Sequence, residues 1–528
     1  MLKFKSTINM RGVEVKMVNE EIKTEIEEII TNPQLTFHQR KHQLATYAES
    51  LLNYVPISKE AAFAKENGII CDLFEGHAPY RPRYILPDYD KAIKQGSKFL
   101  ELDPPKDLDE AINFLTILYT HVPSITGYPV YLGNLDRLLE SFSEKYDDDT
   151  LYKKLKLFLI TIDRLLPDGF THANIGPEGT RVGRLLFKLE RELKQVVPNL
   201  TLKYDQEKTS DELLIEGVKT VFEVGKPHFA NHQMITSDLG EKYGVASCYN
   251  SLKEGGGAHT LVRLNLKKAA KEHRGRPQEF LDTTLLKYVK LALEVIESRA
   301  EYLVNKAKFF EHNFLALEGI ISKAKFSSML GIFGLKECTE TLLDDNAHYG
   351  HDKEANKFSY KITDKILEIL DKTEISHAEG NSNKAMFHSQ SGIDLDTDTT
   401  PGTRITPGEE PDLFNHIKVV APHHSKFIAG VSDIFHFEGT IRNNPKAVCD
   451  IIKGAFKEGM REFTFNLTDG EFVRITGYLV RRSDLEKYKN DESTRYTTTP
   501  LGEGAINIQG VLKRKRRMIN HERNPWFN

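Results

Sequence analysis

The sequence predicts an α/β fold. From Leu200 onward, short strand-like runs alternate with amphipathic helices, whereas the residues before it read as helices almost throughout. With 528 residues, 39% of them hydrophobic, the chain can also bury a large core. Apolar residues at spacings of three and four predict helices over 13–30, 38–54, 58–66, 108–121, 132–146, 150–166 and 180–195. Strands are then expected at 200–204, 235–236, 260–266, 330–333, 416–420, 434–439 and 462–466, with helices at 281–306, 352–371 and 444–459 between them. Length alone would accommodate about three domains. The one linker-like stretch is 380–412, rich in Ser, Asp, Thr, Gly and Pro.

Composition narrows the class of protein. A formal net charge of −4 is small for this length and gives no sign of a nucleic-acid partner. The basic cluster from Lys513 to Arg517 is read as a solvated or subunit-facing segment. No apolar run is long enough to cross a membrane, and the start lacks the apolar core of a signal peptide. Four cysteines without a Cys-x-x-Cys pair point to a reducing, cytoplasmic setting.

The segment with the sharpest chemistry is Arg474-Ile475-Thr476-Gly477-Tyr478. A radical on a glycine α-carbon is delocalised between the amide nitrogen and the carbonyl when the unit is planar. A Cβ would resist that flattening and shield the α-hydrogen. The run 472–480 reads as a buried strand turning into a loop, and burial would protect such a radical. The structural alternative is a tight turn with Gly477 at positive φ.

A backbone radical must be relayed through a thiol to reach a substrate. Of the four cysteines, Cys449 falls in an amphipathic helix and Cys71 among Ile69, Ile70 and Leu73, both core-like settings. Cys338 follows Glu337 where a strand runs into a helix. Cys248 lies in Ser247-Cys248-Tyr249-Asn250, ahead of the polar, glycine-rich Glu254-Gly255-Gly256-Gly257-Ala258-His259, and is the candidate reactive thiol.

With these residues the chain resembles the glycyl radical enzymes, and within them the YjjI-type branch. The cysteine loop and the following 262–266 are similar to the thiyl-cysteine loop of anaerobic ribonucleotide reductases. Leu330 to Glu337 and His377-Ala378-Glu379-Gly380 resemble later segments of those reductases, and 474–478 completes the order. The resemblance implies a ten-stranded barrel of two parallel five-stranded half-sheets wrapped by helices. It divides the chain into a mainly helical part (1–199), a barrel core with the cysteine loop (200–440) and a glycyl radical segment with its tail (441–528).

The departures bear on the reaction. The zinc-binding cysteine pairs of the reductases are absent. The position two residues after Cys248, a glutamate in the diol dehydratases of the class, is Asn250, and Cys248 lacks the adjacent cysteine of pyruvate formate-lyases. The resemblance thus carries the radical machinery further than the substrate.

What the resemblance implies is a radical stored on Gly477, placed there by a separate radical S-adenosylmethionine activase, and a thiyl on Cys248. The thiyl abstracts hydrogen from a small hydroxylated substrate, with Glu337, Glu379 or a histidine as general acid or base. Pocket candidates are Cys338, Asn250, His259, His228, Asn231, His377, Asn381, Cys71 and Asp72, with His388 inside the linker-like stretch and Asn415 just after it. A homodimer and no bound metal are expected. The histidines His416, His423, His424 and His436 form no ligand set, since adjacent histidines on a strand face opposite ways. A radical lyase or dehydratase is the leading reading. A ribonucleotide-reductase-like reduction of a nucleotide or sugar is the alternative, and a non-catalytic binding or repair protein the second.

Overall fold

A computed structural model describes residues 20–51, 55–71, 80–124, 127–343, 347–389, 398–431 and 433–517. Its strands are β1 (Ile70–Cys71), β2 (Tyr84–Leu86), β3 (Tyr131–Asn134), β4 (His172–Ile175), β5 (Asn199–Tyr204), β6 (His228–Asn231), β7 (Tyr243–Ala246), β8 (Asn250–Lys253), β9 (Gly256–Asn265), β10 (Phe326–Phe333), β11 (Met386–Ser389), β12 (Ile434–Phe437), β13 (Glu462–Leu467), β14 (Phe472–Arg474) and β15 (Leu479–Arg481).

The centre is the expected ten-stranded barrel. In one half β3, β4, β5 and β6 run parallel, with β2 packed beside β3. In the other half β9, β10 and β11 run parallel, as do β12 and β13. The segment just before β12 joins these two groups: Gly430 pairs with His388 of β11, and Ala429 N donates to the Phe387 carbonyl. The halves meet antiparallel at two seams, β6 against β13 and β2 against β9. β1 extends the second half along the far end of β9.

Burial explains why these strands lack a period of two. Nearly every residue of β4, β5, β9, β10 and β13 is buried, because one face lines the barrel and the other meets helices. On the second half Val262, Leu264, Leu330, Ile332 and Phe387 face the helix Leu285–Glu301 and its neighbours. Most of the remaining core gathers around the first half.

The structure corrects several boundaries. The expected strand at 416–420 is the middle of a helix, Leu413–His424, so His423 and His424 are successive helical residues. The expected strand at 235–236 lies within the helix His232–Leu239, capped by the Asn231 side chain on Met234 N; the strand is β6, just before it. The expected helix at 132–146 is β3 followed by Leu135–Ser143. In each case the apolar residues cluster in runs too short to tell one period from the other. Barrel strands β2, β3 and β4 also lie within the part expected to be helical. Of the linker-like stretch, Thr400, Thr403, Arg404 and Ile405 are buried, so this portion belongs to the barrel's packing. Among the described residues, no helix is long and apolar enough to cross a membrane.

Candidate active site

The hairpin of β7 and β8 enters the barrel as a finger, packing on β3 and β4 on one side and on β9 on the other. Asn174 of β4 fixes it by two hydrogen bonds, donating to the Val245 carbonyl (2.7 Å) and accepting from Val245 N (2.9 Å). Its tip is Ser247-Cys248-Tyr249, with Ser247 at φ 51° and Tyr249 at φ 63°. Two non-glycine residues in the left-handed region, each costing about 1–3 kcal/mol, are held there by surrounding contacts. Such strain at a tip is a common mark of a functional loop.

The second hairpin, β14 and β15, brings Gly477 to the same point. Ile475 N donates to the Tyr478 carbonyl (3.1 Å), closing the turn. Gly477 is not among the glycines at positive φ. Its requirement is space: a Cβ built there would sit 1.6 Å from Ser247 O and 2.4 Å from Cys248 Cα. Only the absence of a side chain lets the two tips touch.

Polar contacts lock this junction. Thr476 Oγ1 donates to Cys248 Sγ (3.3 Å), Tyr249 Oη donates to the Thr476 carbonyl (2.5 Å), and Asn199 Nδ2 donates to the Gly477 carbonyl. Arg474, only 1% exposed, orients Asn199 through Nη2 to Oδ1 (3.1 Å) and holds the Gly225 carbonyl (2.8 Å). Tyr478 packs on Phe170, while Ile475, Val473 and Val480 form a small cluster with Leu485, Ala505 and Val511 from beyond the glycine. Cys248 itself is 9% exposed.

Around the junction the barrel wall carries two rows of polar side chains. Across the first half and its seam with the second, His172, Thr201, His228 and Glu462 come from adjacent strands β4, β5, β6 and β13. His172 Nε2 lies 2.6 Å and His228 Nε2 3.1 Å from Thr201 Oγ1, and His228 Nε2 lies 3.2 Å from Glu462 Oε2. Burial holds both imidazoles well below the usual histidine range and pushes the Glu462 carboxyl well above its own. The His228 ring stands edge-on to Tyr249 at 4.5 Å. On the second half, Cys71, Arg263, Gly331, His388 and Gly430 share one register level. Arg404 lies close enough to Cys248 and Tyr249 for its charge to be felt, and its burial brings it down to about 10.

The other sequence candidates have structural employment. Glu337 accepts from Thr400 N (2.9 Å) and Thr400 Oγ1 (2.5 Å), anchoring the loop that carries Arg404. Glu379 is exposed and faces Lys323 at 3.8 Å, His377 pairs with Glu301 at 3.0 Å, and Asn381 closes a turn on the Lys384 carbonyl. These three lie beside the start of β10, where Gly380 packs on Lys325 and Phe326. His259 Nδ1 meets Ser328 Oγ at 3.1 Å, with the ring beside Phe326. Asn231 caps a helix, and exposed Asn415 binds Asp412. Asn250 donates to the Ala246 carbonyl within the finger. Cys338 is fully buried among apolar side chains, which pushes its thiol up. Asp72, with Glu75 and His77, lies outside the described residues. Among the described residues no group of three or more His, Cys, Asp or Glu is placed to hold a metal. Asn199, Thr201 and Glu462 escaped sequence reasoning, because nothing near them in the chain marks them.

Comparison with known proteins identifies the family and the fold. A family model described as "Glycyl radical enzyme YjjI-like" matches residues 35–517. The Escherichia coli (strain K12) protein YjjI is 45% identical over 508 residues, 95% of this chain and 97% of that one. Among solved structures, the anaerobic ribonucleotide reductase of Thermotoga maritima in complex with dATP and CTP superposes with a TM-score of 0.68 at 14% identity, covering 89% of this chain and 94% of the reductase. The hydroxyproline dehydratase of Clostridioides difficile with bound trans-4-hydroxy-L-proline gives 0.68 at 12% identity, covering 94% of this chain and 88% of the dehydratase. At these identities the two structures establish a shared fold, not a shared substrate.

Proposed function

The chain belongs to the YjjI-like glycyl radical enzyme family, and from that premise we propose that Gly477 stores a backbone radical which Cys248 converts to a thiyl. The observation that carries this is the direct contact between Gly477 and the Ser247–Cys248 backbone. In the transfer, the Cys248 S–H bond breaks, the hydrogen atom forms the Cα–H bond of Gly477, and the unpaired electron moves to sulfur. The Thr476 hydroxyl on Sγ leaves the thiol hydrogen free to point at the glycine. The thiyl then takes a hydrogen atom from a substrate carbon, and the product radical recovers it from Cys248. Water is excluded by the burial of both tips.

The overall reaction we assign is redox-neutral, a lyase or dehydratase conversion of a small hydroxylated molecule. Cys338, the second thiol that a reductase would need, sits in an apolar cluster behind the barrel wall. One observation favours a reductase as a second reading: Cys71 shares the register level of Arg263 and His388 on the wall. Cys71→Ser separates the two, abolishing turnover with the radical intact in a reductase and sparing it in a lyase. The reading includes a radical S-adenosylmethionine activase, a homodimer and a reducing cytoplasm, in keeping with four free cysteines.

Electron paramagnetic resonance tests the proposal. Activated protein should give a doublet from the single α-hydrogen of Gly477. In D2O that doublet should collapse as the exchangeable thiol deuteron of Cys248 is swapped onto the glycine. Cys248→Ser should keep the doublet in D2O. A doublet that collapses equally fast without the thiol would remove Cys248 from the relay.

A further inference from the structure

The basic run Lys513–Arg517 has no part in the radical relay, and its side chains divide by face. Arg514 and Arg517 are buried, with Arg514 beside Glu410 (3.5 Å) and Asp433 (3.6 Å). Hydrogen bonds pin the run to the barrel: Arg517 N donates to the His436 carbonyl (2.8 Å) and Lys515 N to Glu410 Oε2 (3.0 Å). The Lys515 side chain is left exposed, and it lines an open cavity of about 660 Å³.

Three further lysines line the same cavity. Lys353 and Lys357 come from the helix Lys353–Lys372, and Lys418 from the helix Leu413–His424. Lys357 pairs with exposed Glu354 (3.3 Å), whereas among the described residues Lys353, Lys418 and Lys515 have no ion-pair partner. The lining carboxylate, Asp412, is turned to its own helix, where it accepts from Asn415 N (3.1 Å) and Asn415 Nδ2 (2.5 Å). The helix Lys353–Lys372 opens on this cavity without a side-chain cap, because Asp352 at its N-cap accepts instead from His348 N (2.6 Å). Its first-turn N–H groups and the positive end of its dipole therefore add to the lysine charge. Like charges gathered in one concavity repel one another until a counter-charge joins them. The chain as a whole carries −4, so this positive excess is local.

We propose that this cavity binds a small soluble molecule bearing a multiply charged phosphate group, and that its occupant fastens the basic run to the two helices. The volume is in the range of small-molecule sites. Lysines bind phosphate as point charges, and an open helix N-terminus supplies N–H donors to its oxygens. Asn415, expected from the sequence to reach a pocket, lines this one. The basic run follows Val511, which packs with Val473, Ile475 and Val480 of the Gly477 hairpin, so fastening it favours the docked hairpin. The site is built from exposed side chains outside the barrel interior and does not depend on the radical reading.

The test uses the full, unactivated chain with inorganic pyrophosphate as the probe, read by isothermal titration calorimetry. Wild type should bind it, and Lys353→Ala/Lys418→Ala should bind it about tenfold more weakly. Lys94→Ala/Lys98→Ala, which makes the same change in net charge outside the cavity, should bind as wild type does. All four lysines are exposed, so both double variants should fold. Limited trypsin digestion gives the second readout. Pyrophosphate at about ten times its dissociation constant should slow cleavage after Lys515 and Arg516 about tenfold in wild type, and about twofold in Lys353→Ala/Lys418→Ala at the same concentration. No binding by wild type, tighter binding of citrate than of pyrophosphate, or equal weakening in both double variants overturns the phosphate site. Unchanged cleavage at full occupancy overturns the fastening.

Discussion

Replacing Gly477 with alanine probes the junction without any radical chemistry. The added methyl would start 1.6 Å from Ser247 O and 2.4 Å from Cys248 Cα, against a practical floor of 3.0 Å. The β14–β15 turn must therefore back away by about 1.4 Å, because both obstacles are backbone atoms that cannot rotate aside. That withdrawal breaks the contacts from Asn199, Tyr249 and Thr476. Overpacking costs about 1–3 kcal/mol and the hydrogen bonds about 1 kcal/mol each, until undocking of the hairpin becomes the cheaper response. Limited trypsin digestion reads this directly, since Arg474 is 1% exposed in the docked hairpin. A shift of at least about 3 kcal/mol in the opening equilibrium should speed cleavage at Arg474 by about a hundredfold. Gly470→Ala is the internal control: it precedes β14, its nearest contact to a built Cβ is an ordinary 3.4 Å, and it should change cleavage little. Protection of Arg474 in Gly477→Ala within a few-fold of that control would refute the close approach.

Asn199→Ala removes the donor on the Gly477 carbonyl, the electron-accepting half of the radical unit. The α-hydrogen splitting should change and the radical decay severalfold faster; an unchanged spectrum and lifetime would show that the contact is only structural. Buried histidines give the fold an acid-labile share of its stability. His259, His388 and His424 are lowered by burial to about 3, so the unfolded chain binds protons below about 6.5 that the native state refuses. Their contribution is full above that pH and falls as pH drops toward 3, by about 2 kcal/mol per histidine at pH 5, against the opposite contribution of the buried carboxyls Asp136, Glu190 and Glu462. Urea unfolding at pH 7 and pH 5 should show this as a variant effect: relative to wild type, His259→Gln should gain about 2 kcal/mol on going from pH 7 to pH 5. Air exposure of activated protein should cut the backbone at Gly477, leaving a fragment of about nine tenths of the 528-residue chain, and Gly477→Ala should stay intact on a denaturing gel.

Much of the frame was legible because its signals are local. The long amphipathic helices 352–371 and 444–459 were expected within two residues of Lys353–Lys372 and Pro445–Lys457. The four-residue strands β4, β6 and β11 were not, since strands buried on both faces carry no alternation to read. His377 and Glu379 were nominated from a resemblance of segments, yet the turn holding them faces Glu301 and Lys323 at the surface. His388, from the same stretch, is the one whose strand carries it to the finger tip.

By itself the sequence determined the chemistry on offer: a glycine in a radical-bearing motif and a cysteine in a polar loop, 229 positions apart in a chain with an α/β pattern. Residue type is a local property and can be read locally. Tertiary structure decided which groups act on one another. The Gly477 carbonyl meets Asn199 across 278 positions, and Thr476 meets Cys248 across 228. Barrel closure and two opposed hairpins create those distances, and through-space geometry of this kind leaves no trace in the neighbours of either residue.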